Sequence, residues 1–359
     1  MPDQRITTLY TPHHMAHAPA VEFLHGHKAT YFEKPQRLDE IHGHLQQAGL
    51  ATIQQPEAAL PVEVIKAVHD PEMVDFLQEM SAQAVAIVRT DLEMYGMGDQ
   101  VSHDPYYYEW MYPKRFFKGQ RDPRDRRRYF IFDSTAPIGK GTWQAVYESA
   151  NLAYVGAEML VSGAEKQVYT MCRPPGHHAG RDYMGGYCFL NNAAIAAHTL
   201  RTLGKVAILD IDYHHGNGTQ DIFWNDANVL FISIHADPAV EYPYYSGFAD
   251  ETGSADSRNA TLNYPLPHGS TEAEYLHTLD QAVAHIQDFA PSALVISLGF
   301  DTYKEDPMAE FELDLGSYTK IGQRIAALGL PTLYVQEGGY YIPALGAMAV
   351  SFFRGVLNR

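Results

Sequence analysis

Ile208-Leu-Asp-Ile-Asp-Tyr-His-His-Gly-Asn-Gly-Thr-Gln220 joins an apolar run to a cluster of carboxylates, imidazoles and glycines. With Val206 and Ala207 before it, it opens as an apolar run of the kind seen in parallel sheets covered on both faces. It then sets Asp210, Asp212 and His214 at alternate positions. Side chains two apart on an extended segment point the same way, so Asp212 and His214 are expected to converge. Gly216 and Gly218 break the strand. Ligands of open α/β sheets sit beyond the carboxyl ends of the strands. A carboxylate and an imidazole there make a metal site, the plainer alternative being a solvated polar strand end.

Working outward, strands and helices alternate. Arg5 to Tyr10 reads as a strand, and a helix starts near Lys34-Pro-Gln-Arg37, with Leu38, Ile41 and Leu45 on one face. Val68 to Leu77 reads as a short helix with a proline near its start. Gly141 to Ser162 is an amphipathic helix that Gly163 ends. Gln167–Met171, Asn228–Ile234, Ala293–Leu298 and Thr332–Val335 read as strands, with helices over about 192–203, 271–289 and the C-terminus. The pattern predicts a doubly wound, mostly parallel α/β sheet with helices on both faces, in one domain over 1–359. A long insertion at about 91–140 interrupts it, and long insertions are usually lids or contact surfaces.

Composition bounds the function. The chain of 359 residues is 46% hydrophobic and 19% charged, enough for a full core and unlike a disordered chain. Only Cys172 and Cys188 are present, which suits a reducing compartment. With no signal core at the start and no apolar run of membrane length, a cytoplasmic protein without membrane association is expected. The net charge of −17 disfavours nucleic acid and favours cationic partners. Between His103 and Tyr129, eight basic residues stand against four acidic ones, interleaved with aromatics around Tyr106–Tyr112. Aromatics with arginine suit protein interfaces, so this segment is read as a self-association loop that makes a homodimer. His13, His14, His17, His25 and His27 crowd residues 11–34 without defined ligand spacing, and read as a polar loop near an active-site rim.

Asp301 follows an apolar strand as Asp212 does, so two strand-end carboxylates and His214 offer three ligands and an open position, the arrangement of catalytic zinc. His177-His178 stand in a proline-rich turn, and Tyr340 follows two glycines. A Lewis acid, a base and a hydrogen-bond donor are the parts of metal-assisted amide hydrolysis.

Arg173-Pro-Pro-Gly-His-His-Ala179, Gly186-Tyr-Cys-Phe-Leu-Asn191, Asp210–Thr219, Gly299-Phe-Asp301 and Glu337-Gly-Gly-Tyr340 resemble, in order, the motifs of the zinc-dependent histone deacetylase family. Phe132–Trp143, Gly185–Tyr187 and Tyr244–Gly253 are similar to the bacterial acetylpolyamine amidohydrolases within it. The resemblance implies that Asp212, His214 and Asp301 hold one Zn²⁺, and that Tyr340 donates to the substrate carbonyl. Gly186, Tyr187 and Tyr242 would shape the substrate tunnel. Asp210, Asp212, His214, Ser233 and Ile234 would contribute to a K⁺ site. Gly216 and Tyr303 stand where two-metal arginases carry further acids, so a single catalytic metal is expected. His177 would pair with Asp210 and His178 with Asn217. A carboxylate favours imidazolium more than an amide does, so His178 is expected neutral and His177 cationic. The expected substrate is a small cationic acetylated amine, with acetyl-lysine on proteins or another N-acyl amine as the alternative. A reader of acetylated amines without turnover is disfavoured by the intact presumed machinery. Asp99, Asp104 and Glu109 are candidates for meeting a distal ammonium.

Overall fold

The computed structural model describes residues 5–24, 26–108 and 130–358. Its strands are β1 (Ile6–Leu9), β2 (Val21–Leu24), β3 (His27–Thr30), β4 (Ala51–Gln54), β5 (Gln167–Thr170), β6 (Val206–Asp210), β7 (Val229–Ala236), β8 (Thr261–Leu266), β9 (Ala293–Leu298) and β10 (Thr332–Gln336). Eight of them form one sheet in the order β4-β1-β5-β10-β9-β6-β7-β8, and every pair is parallel. β2 and β3 form a separate antiparallel hairpin. The helices are α1 (Gln36–Gln47), α2 (Val62–Val68), α3 (Pro71–Met94), α4 (Thr142–Val161), α5 (Asn192–Leu200), α6 (Asn217–Phe223), α7 (Glu272–Phe289), α8 (Leu315–Ala326) and α9 (Ile342–Val356). No helix among the described residues is long and apolar enough to cross a membrane.

The apolar runs are continuous because both faces of the sheet are covered. In β6, Val206 and Ile208 join a core with residues of α2, α3, α4 and α5, while Ala207 and Leu209 join the opposite core with α1, α7, α8 and α9. β9 does the same, with Ala293 and Val295 on one side and Leu294, Ile296 and Leu298 on the other. Each aliphatic side chain so buried contributes about 1.5–3 kcal/mol.

Local signals place the ends. Thr271 and Glu274 form a reciprocal cap on α7, Glu274 Oε2 accepting from Thr271 N at 2.8 Å. Asp70 caps α3 by accepting from Glu72 N at 2.8 Å, and Pro71 starts that helix.

Several elements differ from expectation. The helix read over Val68–Leu77 is the end of α2 and the start of α3, divided at His69-Asp70, and α3 continues to Met94. The irregular segment therefore begins later than residue 91. Residues 109–129 lie outside the described residues, so its aromatic and basic centre and Glu109 do too. The helix expected to reach Leu203 tightens to a 3₁₀ turn at Arg201. His14 and His17 are buried rather than on a solvated loop: His17 Nδ1 lies 3.0 Å from Thr142 Oγ1 at the start of α4. His25 lies outside the described residues.

Candidate active site

The carboxyl ends of β5, β10, β9 and β6, neighbours in the sheet, carry the chemistry-bearing residues. His177 and His178 follow β5, Tyr340 follows β10, Asp301 follows β9, and Asp212 and His214 follow β6. The turn before the tandem histidines is held from the β10 side: Glu337 Oε2 accepts from Gly176 N at 2.6 Å and His177 N at 3.2 Å.

Asp212, His214 and Asp301 converge, with one ligand atom of each lying within 4.8 Å of the others, all buried. The cause is not strand alternation. β6 ends at Asp210, and the next residues turn. Asp210 Oδ1 accepts from Asp212 N at 3.1 Å, and Asp212 Oδ1 accepts from His214 N at 2.9 Å. These successive Asx turns aim the side chains inward. His214 Nδ1 lies 3.4 Å from both Asp212 Oδ1 and Asp301 Oδ2. Asp301 Oδ1 is anchored by Tyr213 N at 3.0 Å.

The two histidines carry different partners. His177 Nδ1–H donates to Asp210 Oδ2 at 3.0 Å, and His178 Nδ1–H donates to Asn217 Oδ1 at 2.7 Å. His178 lines the pocket, His177 Nε2 lies 3.7 Å from Asp212 Oδ1, and the two ring centroids are 4.0 Å apart. Burial opposes charge on both. For His177 the negative charges of Asp212 and Asp210 outweigh burial and push its pKa up to about 10. For His178, burial is joined by the neighbouring His177 and His214, and its pKa falls well below the ordinary value. Burial also drives the Tyr340 phenol well above its usual range, so it remains an O–H donor.

His178, His214 and Tyr340 line a pocket of about 460 Å³ whose walls include Phe23, Leu24, Asp133, Tyr187, Glu241, Tyr242, Met308 and Glu310. Among the described residues no Lys or Arg lines it. Gly186 sits in the left-handed region at φ 55°, and a Cβ there would lie 2.4 Å from the His178 ring. Tyr187 follows at φ 65°, a costly conformation for a side chain of its size, and is held by donation of its hydroxyl to Glu22 Oε2 at 2.7 Å. Tyr242 donates to Asp133 Oδ2 at 2.6 Å, so both tyrosine walls hang on carboxylates. Sequence reading assigned no role to Glu22, Asp133, Glu337 or Met308. Asp133 lies within a quoted motif, but nothing in the order of residues ties Glu22 to a tyrosine 165 positions away. Asp99 and Asp104 are exposed and do not line the pocket. Both thiols are buried, Cys172 raised to about 12 and Cys188 well above its usual range, by burial in each case.

The donor set fits a divalent ion. Asp301 Oδ2 is buried with no hydrogen-bond partner, although the oxygen faces the cluster. A Cβ on Gly338 would lie 2.2 Å from that oxygen and 2.6 Å from Asp212 Oδ2, so only glycine leaves these carboxylates their room. Two carboxylates and one imidazole with an open side match the hard and borderline ligands of catalytic metal sites.

Fold and site together define a metal-assisted amide hydrolase of the α/β class. The histone deacetylase domain matches residues 31–356, and the chain belongs to that family. It is 44% identical over 351 residues to acetylpolyamine amidohydrolase 2 of Pseudomonas aeruginosa, covering 97% of this chain and 98% of that one. Acetylpolyamine amidohydrolase 1 of the same organism is also 44% identical, over 359 residues, with 97% and 98% covered. The crystal structure of acetylpolyamine aminohydrolase from Burkholderia pseudomallei superposes with a TM-score of 0.87 at 37% identity, covering 98% of each chain.

Proposed function

We propose that this deacetylase removes the acetyl group from small acetylated polyamines, giving the free amine and acetate. The observation that carries the reading is the convergence of Asp212, His214 and Asp301 next to the two histidine pairs, with His178, His214 and Tyr340 opening onto one pocket that is lined by acids and aromatics and, among the described residues, by no Lys or Arg. A slim aminoalkyl chain suits the aromatic walls of Tyr187 and Tyr242, and its distal ammonium suits the acids above them.

Asp212, His214 and Asp301 would hold one Zn²⁺. Bound there, zinc supplies a Lewis acid that polarises an amide oxygen and lowers the pKa of water towards 7. His178, neutral and with Nε2 free to accept, takes the proton of the attacking water. Asn217 keeps that tautomer in place by accepting from Nδ1. The Tyr340 hydroxyl donates to the carbonyl oxygen as charge develops on it, a contribution of roughly 2.7–4 kcal/mol where such donors have been removed. His177, held cationic by Asp210, lowers the energy of the same developing charge. His178 then returns its proton to the leaving amine, whose departure completes the cleavage of the C–N bond.

By position, Asp210, Asp212, His214, Ser233 and Ile234 would hold K⁺ beneath the site. The β6–β7 register, which pairs Asp210 with Ser233, supports this. Self-association to a homodimer through the 91–140 segment is part of the proposal, and the exposed Met94 and Tyr95 at its start support it. A cytoplasmic location fits an enzyme of this substrate class with two free thiols.

The test is a substrate panel. Acetylputrescine and acetylcadaverine should be turned over faster than an acetyl-lysine peptide, with activity lost on chelation and regained with zinc. Preference for the peptide would move the assignment to protein deacetylation. Turnover indifferent to chelator would end it.

A further inference from the structure

We propose that Asp306, which belongs to none of the motifs above, is a positioning residue for the oxyanion donor Tyr340. The inference rests on the proposed role of Tyr340. That side chain follows Gly338-Gly339, and Gly339 lies at φ 112°, so the loop carrying the donor has little stiffness of its own. Its rigidity is supplied from outside. Asp306 Oδ2 accepts from Tyr340 N at 2.6 Å and from Tyr341 N at 3.0 Å. On the other side of the loop, Arg37 Nε donates to Gly339 O at 2.6 Å, and its guanidinium lies 4.9 Å from the Tyr340 ring centroid. The loop is thus clamped at its N–H groups by a carboxylate and at its carbonyls by a guanidinium.

Asp306 is only 5% exposed, and a carboxylate so buried is costly unless its oxygens are satisfied. Its other oxygen, Oδ1, accepts from Met308 N at 3.0 Å, and Met308 lines the pocket. One carboxylate therefore fixes both the donor and a pocket wall facing it. Preorganised donors work only when held at the place where charge develops, and a misplacement of about 1 Å can cost on the order of 10²-fold in rate.

The test is a double-mutant cycle on the zinc-loaded full chain. Asp306→Ala lowers kcat on the order of 10²-fold, with KM changed by less than roughly threefold. Asp306→Asn, which keeps one carbonyl oxygen for the tyrosine N–H groups, falls between it and the wild type. In a Tyr340→Phe background, assayed with a trifluoroacetylated amine to keep turnover measurable, Asp306→Ala costs less than roughly twofold, because no hydroxyl is left to misplace. Zinc content stays at the wild-type level in each variant. Equal losses in both backgrounds, a loss carried by KM, or zinc lost in step with activity would overturn the positioning role while leaving Tyr340 as donor. Full activity in Tyr340→Phe alone would overturn both.

Discussion

His177 and His178 are neighbours in sequence with rings 4.0 Å apart, yet their surroundings set them to opposite states. His177 points Nδ1 at a carboxylate buried on β6, and His178 points Nδ1 at an amide on α6. Burial penalises charge on both, so the surroundings decide: Asp212 and Asp210 hold His177 charged, whereas for His178 the bond to the neutral Asn217 does not offset burial and the charge of His177. In the proposed mechanism a base and a fixed positive charge thus come from one residue type in one turn, the difference lying in the second partner.

Three kinetic experiments test that contrast, and a fourth measurement tests stability. The largest effect belongs to His178→Ala, which should lower kcat by roughly 10²–10⁴-fold, the contribution of a positioned base. Steady-state kinetics with acetylputrescine reads it, and near-normal turnover would remove His178 from the base role. His177→Ala should cost less, on the order of tenfold, because a charge near the reaction is lost but proton transfer is kept. A greater loss than in His178→Ala would reverse the two assignments. Asn217→Asp makes the two pairs alike. The new carboxylate favours imidazolium, so the pKa of His178 rises and the base is protonated up to a higher pH. The acid limb of the kcat/KM profile should move upward by about one pH unit, and an unmoved limb would mean that His178 does not set it.

The last experiment concerns stability rather than turnover, and a third buried histidine. His69 Nδ1 donates to Gly180 O at 2.8 Å and Nε2 accepts from Asn191 N at 2.9 Å, bracing the loop after the tandem histidines in its neutral form. Burial lowers its pKa from 6.5 to about 4. Its unfolded form protonates first as pH falls, so its stabilising share is complete above 6.5 and drains away between 6.5 and about 4. The share is on the order of 3 kcal/mol at most. Denaturant titrations of the wild type and His69→Gln should converge across that window, and parallel curves would refute the linkage.

Much of this was readable in advance, and the exceptions have physical causes. β6 and β9 were legible because burial on both faces forces unbroken apolar runs. Asp212, His214 and Asp301 were legible as strand-end residues, although Asx turns rather than strand alternation bring them together. The strands β4 and β8 were not read: they lie at the sheet edges, where Gln54, Asn263 and Pro265 interrupt the apolar pattern. The length of α3 was hidden because its second half carries an exposed, mixed surface that no periodic stripe marks. Glu22 and Asp306 were invisible for another reason. Neither is marked out by its sequence neighbours, and what gives each its work is a partner 165 or 34 positions away, a relation that only the fold creates.

The thiols of Cys172 and Cys188, one donating to Ser149 O and the other to Gly186 O, are sealed from solvent and kept as thiols by burial. Alkylating agents and mild peroxide need a thiolate within reach, and here neither finds one. The catalytic centre is therefore blind to redox stress at its sulfurs, and electrophilic cysteine warheads have no foothold on it. Inhibition has to come through the metal ligands or the mouth of the pocket.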